Sequence, residues 1–202
     1  MDSAFKRIFV VFLLLFLPCS IPTYAASVIP MSFEDMVKQA DSVVTARCTA
    51  VSSRWKNERI VTDVSLDVMT SIKGEKRSSL LISVLGGVAL HPQLKVPVKM
   101  HVPGNTSFAV GEEVLLFSNL SNDGERVVLG FNKGKMRIEY DHALEEYVVP
   151  VGKKVMTNEV LGEANIFDDW LFDNFLTDDS EANVQVRRIK LSEIVARIKK
   201  ID

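Results

Sequence analysis

The sequence predicts a mostly β domain, an antiparallel barrel of about six or seven strands with a short N-terminal helix and a C-terminal helix. Three observations predict it. From Val43 onward apolar residues recur at every second position through long stretches rich in β-branched side chains. Polar or glycine-containing turn signals at Lys56-Asn57-Glu58-Arg59, Lys73-Gly74, Gly86-Gly87 and Ser121-Asn122-Asp123-Gly124 punctuate those stretches at strand length. Helical spacing is confined to two short segments, one near residue 33 and one after residue 190.

The chain opens with the three parts of a secretory signal peptide. Lys6 and Arg7 precede an unbroken apolar run, Ile8 to Leu17, which is followed by Pro18, Pro22 and a Thr23-Tyr24-Ala25 site with small residues at its key positions. The run is too short to span a bilayer, which takes about 20 residues. Cys19 lacks a lipobox setting, because Pro18 stands where a small residue is wanted and Phe16 where leucine is usual. Cleavage is expected between Ala25 and Ala26, giving an exported protein, periplasmic or extracellular, with no membrane anchor. Of the 202 residues, 177 remain after residues 1–25 are removed, enough for one domain with a core.

Ser32-Phe33-Glu34-Asp35 reads as a helix start, with Ser32 as cap and Asp35 as an approximate capping-box partner. Phe33, Met36, Val37 and Ala40 line one face, and Asp41-Ser42 ends the helix. The first strand follows, with Val44, Ala46, Cys48 and Ala50 on one side. Ile60, Thr62, Val64, Leu66, Val68 and Ile72 then share one face of a second strand, and the two form a long hairpin. Leu80 to Leu85 is a short apolar strand. Residues Val88 to Val110 hold Pro92, Pro97 and Pro103 and read as a long loop with one short edge strand, Val96 to Val102. Strands are expected at Val114 to Phe117, Arg126 to Phe131, Lys135 to Tyr140 and Tyr147 to Val151.

The tail differs in character. Asn165 to Leu176 mixes Phe167, Trp170, Leu171, Phe172 and Phe175 with Asp168, Asp169 and Asp173, and Thr177 to Asn183 is a polar linker. Leu191, Ile194, Val195, Ile198 and Ile201 form an amphipathic helix after a Ser192 cap. The organisation read from the sequence is therefore a leader over 1–25, a β-barrel domain with its helix over 26–160, and an acidic-aromatic strap, linker and helix over 161–202.

Charge and motifs narrow the function. The net charge of −2 becomes −3 without Asp2, Lys6 and Arg7, which gives no electrostatic reason to expect nucleic acid. After cleavage Cys48 is the one remaining cysteine, so no disulfide forms within the chain. It alternates with apolar residues and reads as a small buried hydrophobe rather than a nucleophile. His91, His101 and His142 lack metal-ligand spacing. The acids Asp168, Asp169, Asp173, Asp178 and Asp179 lack calcium-loop spacing. Gly86-Gly87 and Gly130 to Lys135 do not have the strand-loop-helix order of phosphate loops. No cofactor motif is present, and Lys73, Lys76 and Arg77 read as a solvated basic loop.

Ala40-Asp41-Ser42-Val43-Val44, Ile72-Lys73-Gly74 and Phe108-Ala109-Val110-Gly111-Glu112-Glu113-Val114-Leu115-Leu116-Phe117 together resemble a group of uncharacterised exported bacterial proteins, some associated with secreted matrixin-type zinc proteases. More distantly the pattern is similar to netrin-like domains, the OB-type barrels that include tissue inhibitors of metalloproteinases. The resemblance covers about residues 33–140 and implies an OB-like or netrin-like barrel. The zinc-chelating N-terminal cysteine of those inhibitors has no counterpart, since the expected mature start is Ala26-Ser27-Val28-Ile29-Pro30.

The resulting expectation is an exported, non-catalytic binding or accessory module with a secreted or periplasmic protein partner, which the resemblance suggests is a protease. Its candidate partner-binding residues are Leu90, Leu94, Val96 and Met100 in the proline-rich loop and Phe167, Trp170 and Phe172 in the strap, since apolar and aromatic side chains dominate interface energetics. Two alternatives stand beside it: a small exported hydrolase whose carboxylates converge only in the fold, and an envelope structural protein.

Overall fold

A computed structural model describes residues 31–154 and 184–202. The leader, the strap with Phe167, Trp170 and Phe172, and the Thr177 to Asn183 linker lie outside the described residues.

Helix α1, Phe33–Gln39, begins as the capping signal predicts. Ser32 Oγ accepts the Asp35 amide at 3.1 Å and donates to the Asp35 carboxylate at 2.8 Å. At the other end of α1, Lys73 donates its ammonium to the carbonyls of Val37 and Lys38, at 2.8 and 3.4 Å. A cation on those unpaired carbonyls also offsets the negative end of the helix.

Strands β1, Ser42–Lys56, and β2, Arg59–Lys73, form the long hairpin. Its two-residue loop, Asn57-Glu58, has positive φ at both positions, the turn whose twist suits a tight hairpin. Register shifts interrupt the β1–β2 ladder at three places, the first two leaving Ile72 and Met69 of β2 unpaired and the last leaving Thr49 of β1 unpaired between Cys48 and Ala50. A bulge adds one residue and bends the strand. Ala50 is exposed as a result, whereas strict alternation places it in the core with Cys48. β3, Ser79–Leu85, extends the sheet beyond β2.

On the other side β1 pairs with β6, Glu113–Leu120, from Ser42 opposite Ser118 to Arg47 opposite Glu113. β7, Arg126–Val128, and β8, Lys135–Arg137, pair with successive parts of the outer edge of β6, with a 3-10 turn over Phe131–Gly134 between them. The sequence predicts strands over 126–131 and 135–140. The turn cuts the first short, and the second divides into β8 and β9, Glu139–Asp141, around Ile138. The sheet order is β3-β2-β1-β6-β7, all antiparallel. The far end of β1 bends round until Lys56 reaches Asp123 and Glu125 beside β7. β3 and β7 thus face each other, running parallel, with no hydrogen-bond ladder between them, and the rolled sheet is not a closed barrel.

β10, Glu146–Lys154, lies between β9 and β11, Val184–Lys190, in a second antiparallel sheet. β11 was not expected from the sequence. Helix α2, Leu191–Ile201, starts one residue before Ser192, and its N-cap is Lys190 with no side-chain cap bond.

Two cores result, one on each face of the β1–β6 pair. Phe33, Met36, Val43, Leu115, Phe117, Ile194 and Ile198 join both helices to the outer face, with Phe33 and Phe117 edge to face at 5.8 Å. Val44, Ala46, Cys48, Leu66, Ile82 and Leu116 fill the inside of the roll. Alternation along β1 and β6 divides their residues between these two cores.

Candidate functional site

The region expected to be a loop with one edge strand is instead a hairpin of two short strands, β4, Gly87–Leu90, and β5, Pro97–Met100. Its base is built onto the β1–β2 hairpin. Gly86 donates its amide to the Ile60 carbonyl at 2.7 Å, and Thr62 Oγ1 donates to the Gly86 carbonyl at 2.6 Å. Gly87, at φ 128°, sits so close to Ser53 and Thr62 that an added Cβ would lie 2.4 Å or less from both hydroxyl oxygens. The Met100 thioether accepts the Ile60 amide at 3.4 Å.

The tip is held by a histidine. His91 Nδ1 accepts the amides of Gln93 and Leu94 at 3.3 and 3.1 Å, while its ring meets Trp55 edge to face at 5.1 Å. His91 therefore works as a turn-former. His142 packs against Tyr140, and among the described residues no group of three or more His, Cys, Asp or Glu is placed to hold a metal ion.

Alternation splits the hairpin into two faces. Ala89 is buried and Val98 and Met100 half-buried, whereas Val88, Leu90, Pro97 and Lys99 are exposed. With the tip included, Val88, Leu90, Leu94 and Val96 are 56, 63, 69 and 47% exposed. Single exposed aliphatic residues are ordinary, but four on one hairpin form a patch. Of the residues picked out from the sequence, Leu90, Leu94 and Val96 share this surface. Met100 does not, because its thioether turns inward onto Ile60. Lys95 and Lys99 are the charges within the hairpin, and no Asp or Glu occurs between Glu75 and Glu112.

Ion pairs concentrate in the groove between β3 and β7. Arg54 binds Asp63 at 2.6 Å and Glu125 at 3.4 Å, Lys56 binds Glu125 at 2.7 Å and Asp123 at 3.3 Å, and Ser83 donates to Asp63 at 3.2 Å. Hydrogen bonds from Ser121 and Lys56 lower the pKa of the Asp123 carboxyl. These are carboxylates that converge only in the fold, and each one has a cation partner. Sequence reasoning missed the cluster because its partners lie as far as 71 residues apart.

The segments Ala40 to Val44, Ile72 to Gly74 and Phe108 to Phe117 hold the fold together. Asp41 accepts the Leu120 amide at 2.8 Å and donates its own amide to Asn119 Oδ1 at 2.9 Å. A Cβ on Gly74 would stand 2.3 Å from the Asp41 carbonyl oxygen. Glu112 pairs with Lys135 at 2.7 Å, both largely buried, and Glu113 pairs with Arg47. Cys48 is 1% exposed beside Glu112, and burial first, then that carboxylate, pushes its thiol pKa up. A thiol held in this way stays protonated and unreactive. Searches of known protein families and of curated proteins find no match to this chain.

Proposed function

We propose that this protein is an exported, non-catalytic binding module that docks a secreted or periplasmic protein through the outer face of the β4–β5 hairpin. The observation that carries the reading is the patch formed by Val88, Leu90, Leu94 and Val96, on a hairpin whose other face is tied to β1 and β2. A rigid, preformed apolar surface loses little entropy on docking. Pro97 and Lys99 sit on β5, and both residue types blunt an edge against strand addition, so recognition runs through side chains. Lysines without nearby acids favour an acidic rim on the partner.

The leader-like Met1 to Ala25 supplies the export half of the reading. Intact-mass measurement of protein secreted by expressing cells is expected to give a chain beginning at Ala26, and a mass retaining residues 1–25 overturns export. For docking, a photo-crosslinking residue at Leu94 is expected to trap one partner in the exported fraction. Leu90→Ser with Val96→Ser is expected to abolish the adduct without changing the melting temperature. An undiminished adduct, or none from the unmutated hairpin, overturns the reading.

A further inference from the structure

The open groove between β3 and β7 contains two adjoining clefts. One, of about 330 Å³, is walled by Ser79, Leu81, Leu120 and Arg126 with Arg54 beside them. The other, of about 440 Å³, shares Ser83 and Glu125 with the first and carries Arg59. A polypeptide strand does not fit between the edges. Cα atoms of β3 and β7 approach within 8 Å, and an intervening strand needs about 9.6 Å, twice the strand spacing. Whatever enters this groove is smaller than a backbone.

The charges on its walls are unequally satisfied. Arg54 is committed to Asp63 and Glu125, and Arg77 to Glu75. Arg126 has no acceptor and no ion-pair partner among the described residues, and its Nη1 is shut off from solvent. Arg59 also lacks a carboxylate but is exposed, where water serves it. Half-buried Arg126 has no such relief at Nη1, and arginine cannot lose its charge. A half-buried cation with one nitrogen shut off from solvent and no partner is an orphan that an ion on its open side would satisfy in part.

The geometry points to an oxyanion site in this groove, taking a phosphate- or sulfate-type group on Arg126. The guanidinium charge is delocalised, so two oxygens on an open edge of its planar fork offset the cost of burying Nη1 without touching that atom. The exposed Ser79 hydroxyl is a further donor on the same wall. Asp63, Asp123 and Glu125 share Arg54 and Lys56, and with Arg77 paired to Glu75 the addition of Arg59 and Arg126 leaves the groove one positive charge in excess. Leu81 and Leu120, 58 and 57% exposed, add apolar walls suited to the carbon side of a phosphate ester. The site is independent of the β4–β5 hairpin.

The test is calorimetric titration of the purified protein, in chloride buffer of low ionic strength, with inorganic phosphate and with butyl phosphate. Saturable one-to-one binding is expected, and Arg126→Gln is expected to weaken it at least ten-fold, while Leu144→Ser, at an exposed residue outside both surfaces, leaves it unchanged. Tighter binding of butyl phosphate assigns the site to an ester, and equal binding assigns it to the free anion. Absence of saturable binding, or undiminished binding by folded Arg126→Gln, overturns the site. Should that variant not fold, Arg126→Lys decides: a point charge in place of the fork is expected to cost several-fold in affinity, and unchanged affinity overturns the assignment.

Discussion

Trp55 and His91 meet edge to face, ring centroids 5.1 Å apart, where the end of β1 touches the end of β4. The contact joins two devices. The His91 imidazole turns the β4–β5 loop by accepting two amides, and the Trp55 ring gives that imidazole a surface to rest on. The exposed patch therefore rests on a half-buried support that is not itself part of the patch.

Trp55→Ala is expected to loosen the hairpin before it threatens the fold. Removing a fully buried tryptophan costs about 3–5 kcal/mol, and this half-buried ring is expected to cost about 2 kcal/mol. Hydrogen exchange is expected to rise over residues 87–100 while the amides of β6 keep their protection. Leu94→Ser, at the 69% exposed tip, is expected to change stability by less than about 0.5 kcal/mol. Uniform loss of protection in Trp55→Ala would show that the ring supports the whole roll instead.

How much of this was legible in the sequence depended on where burial is one-sided. β2 reads cleanly because Ile60, Val64 and Leu66 are buried on one face while Asp63, Ser65 and Asp67 stay polar on the other, Val61 at its start being the buried exception. β4 and β5 do not, because Val88 and Leu90 point outward on a two-stranded hairpin and prolines break the pattern around them. Ala50 was misplaced because a bulge carries no local signal in alternation. β11 has a visible signal, since Val184 and Val186 alternate with Gln185 and Arg187, but its pairing partner β10 lies across a long excursion. The groove was illegible for the same reason. Lys56 and Asp123 are 67 residues apart, and only the bend of β1 brings them together.

Among the described residues, Lys135 and Glu112 form the ion pair least exposed to water, with side chains 11 and 13% accessible. The Lys135 ammonium also donates to the Ser107 carbonyl at 2.6 Å and lies 4.7 Å from the Phe108 ring centroid. Lys135→Met strands the Glu112 carboxylate beside the buried Cys48 and is expected to cost about 3–5 kcal/mol. Lys135→Met with Glu112→Leu removes both charges and is expected to recover most of that loss. Urea denaturation of the four proteins in the cycle measures the coupling, and additive losses would show that the pair does not act as a unit.

The last expectation concerns pH and Asp141, which is 8% exposed. Its carboxylate accepts the Ala143 amide at 2.8 Å and the Leu144 amide at 3.3 Å, and Arg188 of β11 donates to it at 2.9 Å. The Ala143 amide bond first, then the other contacts, hold its pKa below the usual aspartate value, against the opposing effect of desolvation. A depressed carboxylate stabilises the folded state above the unfolded pKa of about 3.9. That contribution drains away as pH falls from there through the lower folded value, because the unfolded chain takes up the proton first. Asp141→Asn keeps an oxygen for the two turn amides and loses the charge that Arg188 meets, so its stability no longer depends on this proton. Urea midpoints at pH 3 and pH 5.5 are expected to differ less in Asp141→Asn than in the unmutated protein, with the variant weaker at pH 5.5 and nearly level at pH 3. Equal pH dependence in the two proteins would mean that the acid sensitivity of the β9–β11 sheet comes from another carboxylate, and the Glu146–Lys190 pair at 3.0 Å is the next to examine.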